Sequence, residues 1–289
     1  MNNHQKYLLS CLLATAALVG GVSPAFSASS APALGTASDF AVLSAAPGGL
    51  GAVTCTDSTI TGDVGSSGQP ASVVQTNCTI NGAVIAPVSA GVLTDFNSAY
   101  DALAGQSCDS FLTGTLAGVT LTPGVYCFSA AAALTGTLTL SGGSNDTWLF
   151  KIGTSGTGAL TGTNFSVVMA NGASACNVTW WVAEAATMTT SDFKGTMLAG
   201  AAITSTGTAP ASPFEGRALA KAAVTLTNVA FVGCTGGTIG GTAKPKCNQG
   251  VGNGPEGCDP GNSNQGNPFR SNDELGGVPG NPGRKGGNK

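Results

Sequence analysis

The sequence predicts an all-β-dominated chain, a β-solenoid with one α-helix packed alongside, and three observations lead there. A five-residue phrase, Ala-apolar-Thr-x-Thr, recurs at 133–137, 159–163, 185–189, 202–206 and 223–227, at spacings of 26, 26, 17 and 21 residues. Repetition at this period with variable loops marks a solenoid, whose coils bury their apolar sides only by stacking on one another. A run that is largely apolar precedes each copy, as expected of strands buried on both faces. One stretch, 89–104, shows helical instead of strand spacing.

Residues 1–27 read as a targeting segment. Lys6 lies in a short polar n-region, 8–22 form an apolar h-region, and Ala25 and Ser27 offer small residues for cleavage. LLSC at 8–11 permits a lipoprotein reading, which the continuing apolar run after Cys11 opposes. The mature chain is expected to be exported, either secreted or held at the cell surface, with no membrane insertion, because no later run is long and apolar enough to span a bilayer. Residues 28–243 form the expected solenoid domain. From 244 to 289 there are 12 glycines, 6 prolines and scarcely any apolar residues. That composition predicts a disordered tail.

Within the domain, LGTASDFAVLSA (34–45) reads as an opening strand pair. STITGDVG (58–65) and CTINGAVI (78–85) each carry a β-former triplet ending at Gly62 or Gly82, a strand meeting a coil corner. Val92, Phe96, Tyr100 and Leu103 then fall on one helical stripe, with Ser89 as N-cap and Gly105 at the C-terminal end. The stripe must be covered, most simply by lying along the solenoid. Coils resume after 111, with VYCF, WLFKI, VTWWV, TMLA and RALA on the face beneath the helix. FSVVM (165–169), Phe193 and Phe214 are assigned to the remaining side.

Within each phrase the side chains alternate. Leu134, Leu160, Ala186, Ile203 and Val224 are therefore expected to point inward. Thr135, Thr137, Thr161, Thr163, Thr187, Thr189, Thr204, Thr206, Thr225 and Thr227 are expected to point out, as a two-column ladder. Threonine is also simply a good strand former on an exposed face. The regularity argues for more, since a surface selected for solubility alone would scatter Lys, Glu and Ser through it. Methyls and hydroxyls on a lattice of ~4.7 Å by ~6.6 Å could order water above it.

Other chemistry is constrained by composition. The one histidine, His4, lies in the leader, so the mature chain has no histidine catalysis and no histidine metal site. Charged residues are 9% of the chain. Residues 28–243 hold 10 acidic and 4 basic side chains, 4 − 10 = −6, which offers nothing to nucleic acid. Asp39, Asp57, Asp63, Asp146, Asp192 and Glu215 are scattered as turn and capping residues are, not paired for glycoside hydrolysis. No calcium-binding repeat is present, and no cofactor is called for. Trp180 and Trp181 suggest a sugar-stacking platform only if both are outward. As strand neighbours, one belongs in the core and the other beneath the helix.

Eight cysteines follow the leader: Cys55, Cys78, Cys108, Cys127, Cys176, Cys234, Cys247 and Cys258. An even count in an exported chain, without C-x-x-C spacing, favours disulfides over metal thiolates. Sequence proximity and coil position suggest Cys55–Cys78, Cys108–Cys127, Cys176–Cys234 and Cys247–Cys258, among about 105 possible pairings.

Taken in order, LGTASDFAVLSA, ITGDVG, DFNSAYDALAG, LTPGVYCF, WLFKIG, NGASACNVTWWV, FKGTMLA and GRALAKAAVTL resemble the microbial ice-binding (antifreeze) proteins of bacteria, yeasts, fungi and diatoms. The resemblance covers residues 34–234. It implies a right-handed, discontinuous β-solenoid of triangular section, with N-terminal coils interleaved among C-terminal ones. It also implies a protein that adsorbs to an ice crystal surface and its ordered water through a flat, Thr-rich face. The chain is expected to be non-enzymatic and monomeric and to limit ice growth or recrystallisation. Many family members carry T-[AG]-x-[TN] there. TGTN (161–164) matches, while TLTN (225–228) and TMTT (187–190) match in their outer positions. The alternatives are a cell-surface structural or adhesion module on the same fold and a polysaccharide-binding or degrading protein.

Overall fold

The computed structural model describes residues 33–208 and 212–234. The leader, the tail and the Cys247–Cys258 pair lie outside the described residues. Two short coils come first. One runs through β1 (Phe40–Ser44), β2 (Val53–Thr56) and β3 (Thr59–Thr61). The other runs through β4 (Asp63–Ser66), β5 (Val73–Thr76), β6 (Thr79–Asn81) and β7 (Val84–Ile85). Helix α1 (Ala90–Ala104) follows, then β8 (Ser110–Phe111), β9 (Val119–Leu121) and β10 (Gly124–Phe128). Next come β11 (Ala132–Ser141), β12 (Trp148–Ile152), β13 (Leu160–Ala170), β14 (Val178–Val182) and β15 (Ala186–Thr189). The last strands are β16 (Phe193–Ala199), β17 (Ile203–Thr206), β18 (Pro213–Ala220), β19 (Val224–Thr227) and β20 (Ala230–Gly233).

The strands stack in parallel, and their order along the stack is not their order in the chain. One sheet reads β5-β2-β19-β17-β15-β13-β11-β9. Beneath the helix, β1 pairs with β18 on one side and β4 on the other. The two N-terminal coils therefore sit on the last C-terminal coil, and α1 carries the chain back to the far end, where β8 begins. This discontinuity is the interleaving the resemblance implied. On the third side, β3 and β6 continue the ladder of β20 and the first halves of β18 and β16.

Inside, side chains of like type stack rung on rung, because parallel register places each residue over its counterpart. Tyr126, Phe150 and Trp180 form one such column, with ring centroids 5.7 and 4.0 Å apart. Phe193, Phe214 and Phe231 form another, at 4.8 and 4.5 Å, continued by Ile60 and Ile80. The two glycines that turn β16 and β18 from the third side onto the helix face are sterically obligatory. Gly195 and Gly216 have φ of +122° and +149°, and a Cβ on Gly216 would lie 1.8 Å from the Gly195 carbonyl oxygen.

The helix seats as its stripe required. Val92, Phe96, Ala99, Tyr100 and Leu103 pack on Val125, Leu149, Trp181, Leu198 and Leu219 from the strands below. Lys151, buried in the same face, donates from Nζ to the Ala104 carbonyl at the helix C-terminus, 2.9 Å away. A cation there satisfies carbonyls that the helix cannot. Ser89 is the N-cap residue but makes no side-chain capping bond, and Gly105 stays right-handed at φ −78°. The strand pair expected at 34–45 is instead a 3-10 turn, Gly35–Asp39, followed by β1 alone. Two things bend the chain there: Gly35 adopts φ +52°, and Asp95 of the helix, distant in sequence, holds Thr36 through two hydrogen bonds.

Three of the expected disulfides are formed, Cys55–Cys78, Cys108–Cys127 and Cys176–Cys234. The aspartates hold backbone N–H groups: Asp146 accepts from Gly143 N within a turn, while Asp63 accepts from Ala83 N and Asp109 from Val125 N across neighbouring coils. Trp180 is fully buried, and Trp181 packs under the helix against Tyr100 at 5.3 Å. A sugar platform at this pair is thereby ruled out.

Candidate functional site: the threonine face

Four of the five phrases stack in register. Thr161 pairs with Thr187, Thr187 with Thr204 and Thr204 with Thr225, while Thr163, Thr189, Thr206 and Thr227 form a parallel column two residues on. Leu160, Ala186, Ile203 and Val224 face the core, as does the residue between each pair of threonines: Gly162, Met188, Ser205 and Leu226. Gly162 is small because its neighbour is large. A Cβ there would meet Met188 Sδ at 2.6 Å.

The first phrase does not join in the expected register. Ala132 pairs with Leu160, Ala133 with Thr161 and Leu134 with Gly162, a slip of two residues, followed by a bulge before Gly136. Thr135 and Thr137 remain exposed, but Thr137 pairs with Ser166, beyond the bulge. Gly136, at φ +67°, lies against Ala117, and Thr135 N donates to Thr115 O in the neighbouring coil. Those contacts pull the strand along its axis.

The fifth complete rung comes from the other end of the described chain. Thr54 pairs with Thr225 and Thr56 with Thr227, so β2 extends both columns, and Thr76 of β5 adds to the second, beside Val74 in the first. These residues were missed, although AVTCT at 52–56 is a further copy of the phrase. A third column runs alongside. Ala185, Ala202, Ala223 and Ala52 each accept a backbone hydrogen bond from the residue opening the adjacent strand. Each lies two residues before an outward threonine and so shares its face. At the opposite margin the chain turns through left-handed residues: Asn164, Thr190, Asn228, Asp57 and Asn77, with φ between 47° and 54°. Asn and Asp tolerate this conformation, which accounts for the Asn that follows several threonine pairs. Thr190 is β-branched, and its hydroxyl donates to Asn164 Oδ1.

The result is a surface of alanine and threonine, with no ionisable side chain in its columns. Threonine is restricted at χ1, so its methyl and hydroxyl are held in place before any partner arrives. Rungs repeat at ~4.8 Å and successive outward residues at ~6.6 Å. Such a surface has no nucleophile, base or metal-ligand set. What it can do is present a fixed grid of methyls and hydroxyls to water.

Residues 33–232 match the ice-binding-like family. The chain belongs to that family. An ice-binding protein of Nostoc sp. (strain HG1) is 39% identical over 185 residues, covering 62% of this chain and 66% of its own length. One from Flavobacterium frigoris (strain PS1) is 33% identical over 184 residues, covering 57% and 64%. The chain thus spans slightly less than two thirds of the length of either relative. A crystal structure of an ice binding protein from an Antarctic biological consortium superposes with a TM-score of 0.62 at 30% identity, covering 72% of this chain and 93% of that one. Membership in the ice-binding-like family agrees with the solenoid, the interleaved N-terminal coils and the flanking helix.

Proposed function

We propose that this chain is an exported, non-enzymatic ice-binding protein. It adsorbs as a monomer to ice through the threonine face, limiting crystal growth or recrystallisation, and needs no cofactor. The observation that carries this reading is the register of five consecutive rungs, each with an Ala-Thr-Thr outward triplet. Family membership and the relatives' names support it, and the leader-like segment at 1–27 supports export. Adsorption of this kind is a many-point contact. Each hydroxyl exchanges one water partner for another at little net gain, so affinity depends on many groups fitting an ordered water layer at once.

The test is a bulky residue in mid-array. Thr204 has complete rungs on both sides, so Thr204→Tyr should hold the face away from ice across several neighbouring positions. Stability should move by no more than about 0.5 kcal/mol, since the site is partly exposed and tyrosine is a good strand former. Thr120→Tyr, on an exposed position of β9 away from the array, is the control. Ice shaping by a single growing crystal should survive Thr120→Tyr and collapse with Thr204→Tyr. Equal activity of the two variants would place the ice face elsewhere.

A further inference from the structure

We infer that the Cys55–Cys78 disulfide is the positioning device of the fifth threonine rung, the one built from the N-terminal coil. This rests on the ice-binding reading of the threonine face and adds to it which covalent link keeps that face complete.

Four rungs, Thr161–Thr163 through Thr225–Thr227, are held by strands from one continuous part of the chain. The fifth, Thr54–Thr56, is held differently. On one side β2 pairs with β19, and on the other with β5, whose far edge has no further strand among the described residues. Val74, Gln75 and Thr76 of β5 are exposed. The inward column that runs through this rung passes from Leu226 to Cys55 to Gln75. Cys55 is fully buried and Gln75 is exposed, so this inward column ends at Cys55, while Val73 and Ile80 of the next coil still pack on the core. Below it stands Cys78, half-buried, packed against the main core and bonded to Cys55. The disulfide occupies the place of a last core layer. It is inserted between Thr54 and Thr56 in sequence and lies directly behind them in the fold.

The link also closes the loop containing β3, β4 and β5, so β2 and the next coil are fastened together at this corner. Around it, β5 and its coil are joined to β2 by Asp57 N to Thr76 O, Thr79 N to Ser58 O and Asn77 Nδ2 to Asp57 Oδ1. On the β19 side Asn228 N donates to Thr56 O, Thr59 N to Val229 O and Val229 N to Ser58 Oγ. With the bond absent, β5 and its coil could part from β2, leaving β2 as an unbraced edge strand, while the other four rungs kept their pairing. The other two disulfides are placed elsewhere. Cys127 lies in the face beneath the helix, and Cys176–Cys234 joins the turn at Ala175–Asn177 to the end of β20.

The experiment compares two double variants of the full chain, well below their melting temperatures. Cys55→Val with Cys78→Ala removes the proposed device without leaving a thiol. Cys108→Ala with Cys127→Ala removes a disulfide remote from the threonines. The first should need a several-fold higher concentration to stop ice recrystallisation, and amide exchange should quicken at Thr54 and Thr56 but not at Thr204 and Thr206. The second should leave both readouts at parent values. If the first variant matches the parent in exchange and in recrystallisation, the assignment is overturned. Thr54→Tyr keeps the disulfide and tests the rung directly, so undiminished ice shaping by that variant overturns the assignment too. An inert parent would sink the ice-binding reading instead, and the exchange rates would still decide the positioning.

Discussion

Asp95 Oδ2 accepts two hydrogen bonds from Thr36, one from its backbone N–H at 2.8 Å and one from its hydroxyl at 2.7 Å. The pair fastens the start of the domain to the flanking helix. The Thr36 hydroxyl first, and its N–H second, hold the carboxyl below its ordinary range. A lowered carboxylate contributes stability that is present above the unfolded pKa, near ~3.9, and is lost as pH falls through the folded value. Asp95→Asn should therefore melt slightly below the parent at neutral pH, and the gap should close in acid. Melting curves from pH 7 down to pH 2 check this, and a gap independent of pH would contradict it.

Tyr100 predicts the opposite limb. Burial, and secondarily the charge of Asp101, push its phenol from 10.0 up to about 12. Below pH 10 the phenol is protonated in both states and its contribution is whole. Between about 10 and 12 the unfolded chain ionises while the folded chain resists, so stability is lost as pH rises. Tyr100→Phe should cost about 1 kcal/mol at neutral pH, because the single hydroxyl donor shared between Val182 O and Ala183 O disappears. The variant should lose less stability in alkali than the parent does. Denaturant midpoints on either side of pH 10 measure the difference.

Trp180 is the centre of the aromatic interior. It stacks on Phe150 at 4.0 Å, touches Phe193 at 5.3 Å, and donates from Nε1 to Lys194 O at 3.0 Å. Trp180→Ala should destabilise by about 3–5 kcal/mol and lower Tm by roughly 10 °C. Calorimetry reads both. A loss under about 1 kcal/mol would mean the neighbouring rungs collapse into the space.

Gly216→Ala should cost about 3 kcal/mol or more, since it joins a left-handed φ to a clash with the Gly195 carbonyl. Chemical denaturation checks it. Gly156→Ala is the comparison: its φ is +109° but nothing lies within 4 Å of the added Cβ, so backbone strain acts there without the clash.

Much of this was legible in the sequence, for identifiable reasons. Inward and outward positions follow from alternation within each strand, which is why Leu160, Ile203 and Val224 face the core and Thr161, Thr204 and Thr225 do not. The helix was legible because Val92, Phe96, Tyr100 and Leu103 share one stripe. Cys55–Cys78 and Cys108–Cys127 followed from coil position, because stacked coils bring residues about one turn apart into contact, whereas Cys176–Cys234 spans 58 residues. The first phrase was misleading for a physical reason. Sliding a strand by two residues keeps every side chain on its own face, so ALTGT at 133–137 fits equally well in either register.

What belonged to local chemistry was the character of each rung: which side chains are buried, which are turned out, and which corner needs glycine or asparagine. Adjacency belonged to the folded chain. Thr54 lies beside Thr225 because the C-terminal coil leaves an apolar edge that the N-terminal coils cover, and nothing near either residue encodes that neighbour. The contact of the end coil with Gly136 selects one of two registers that alternation leaves equal. Hydrophobic burial needs only that each apolar edge meet another, so the choice of partner rests on the order in which whole coils stack.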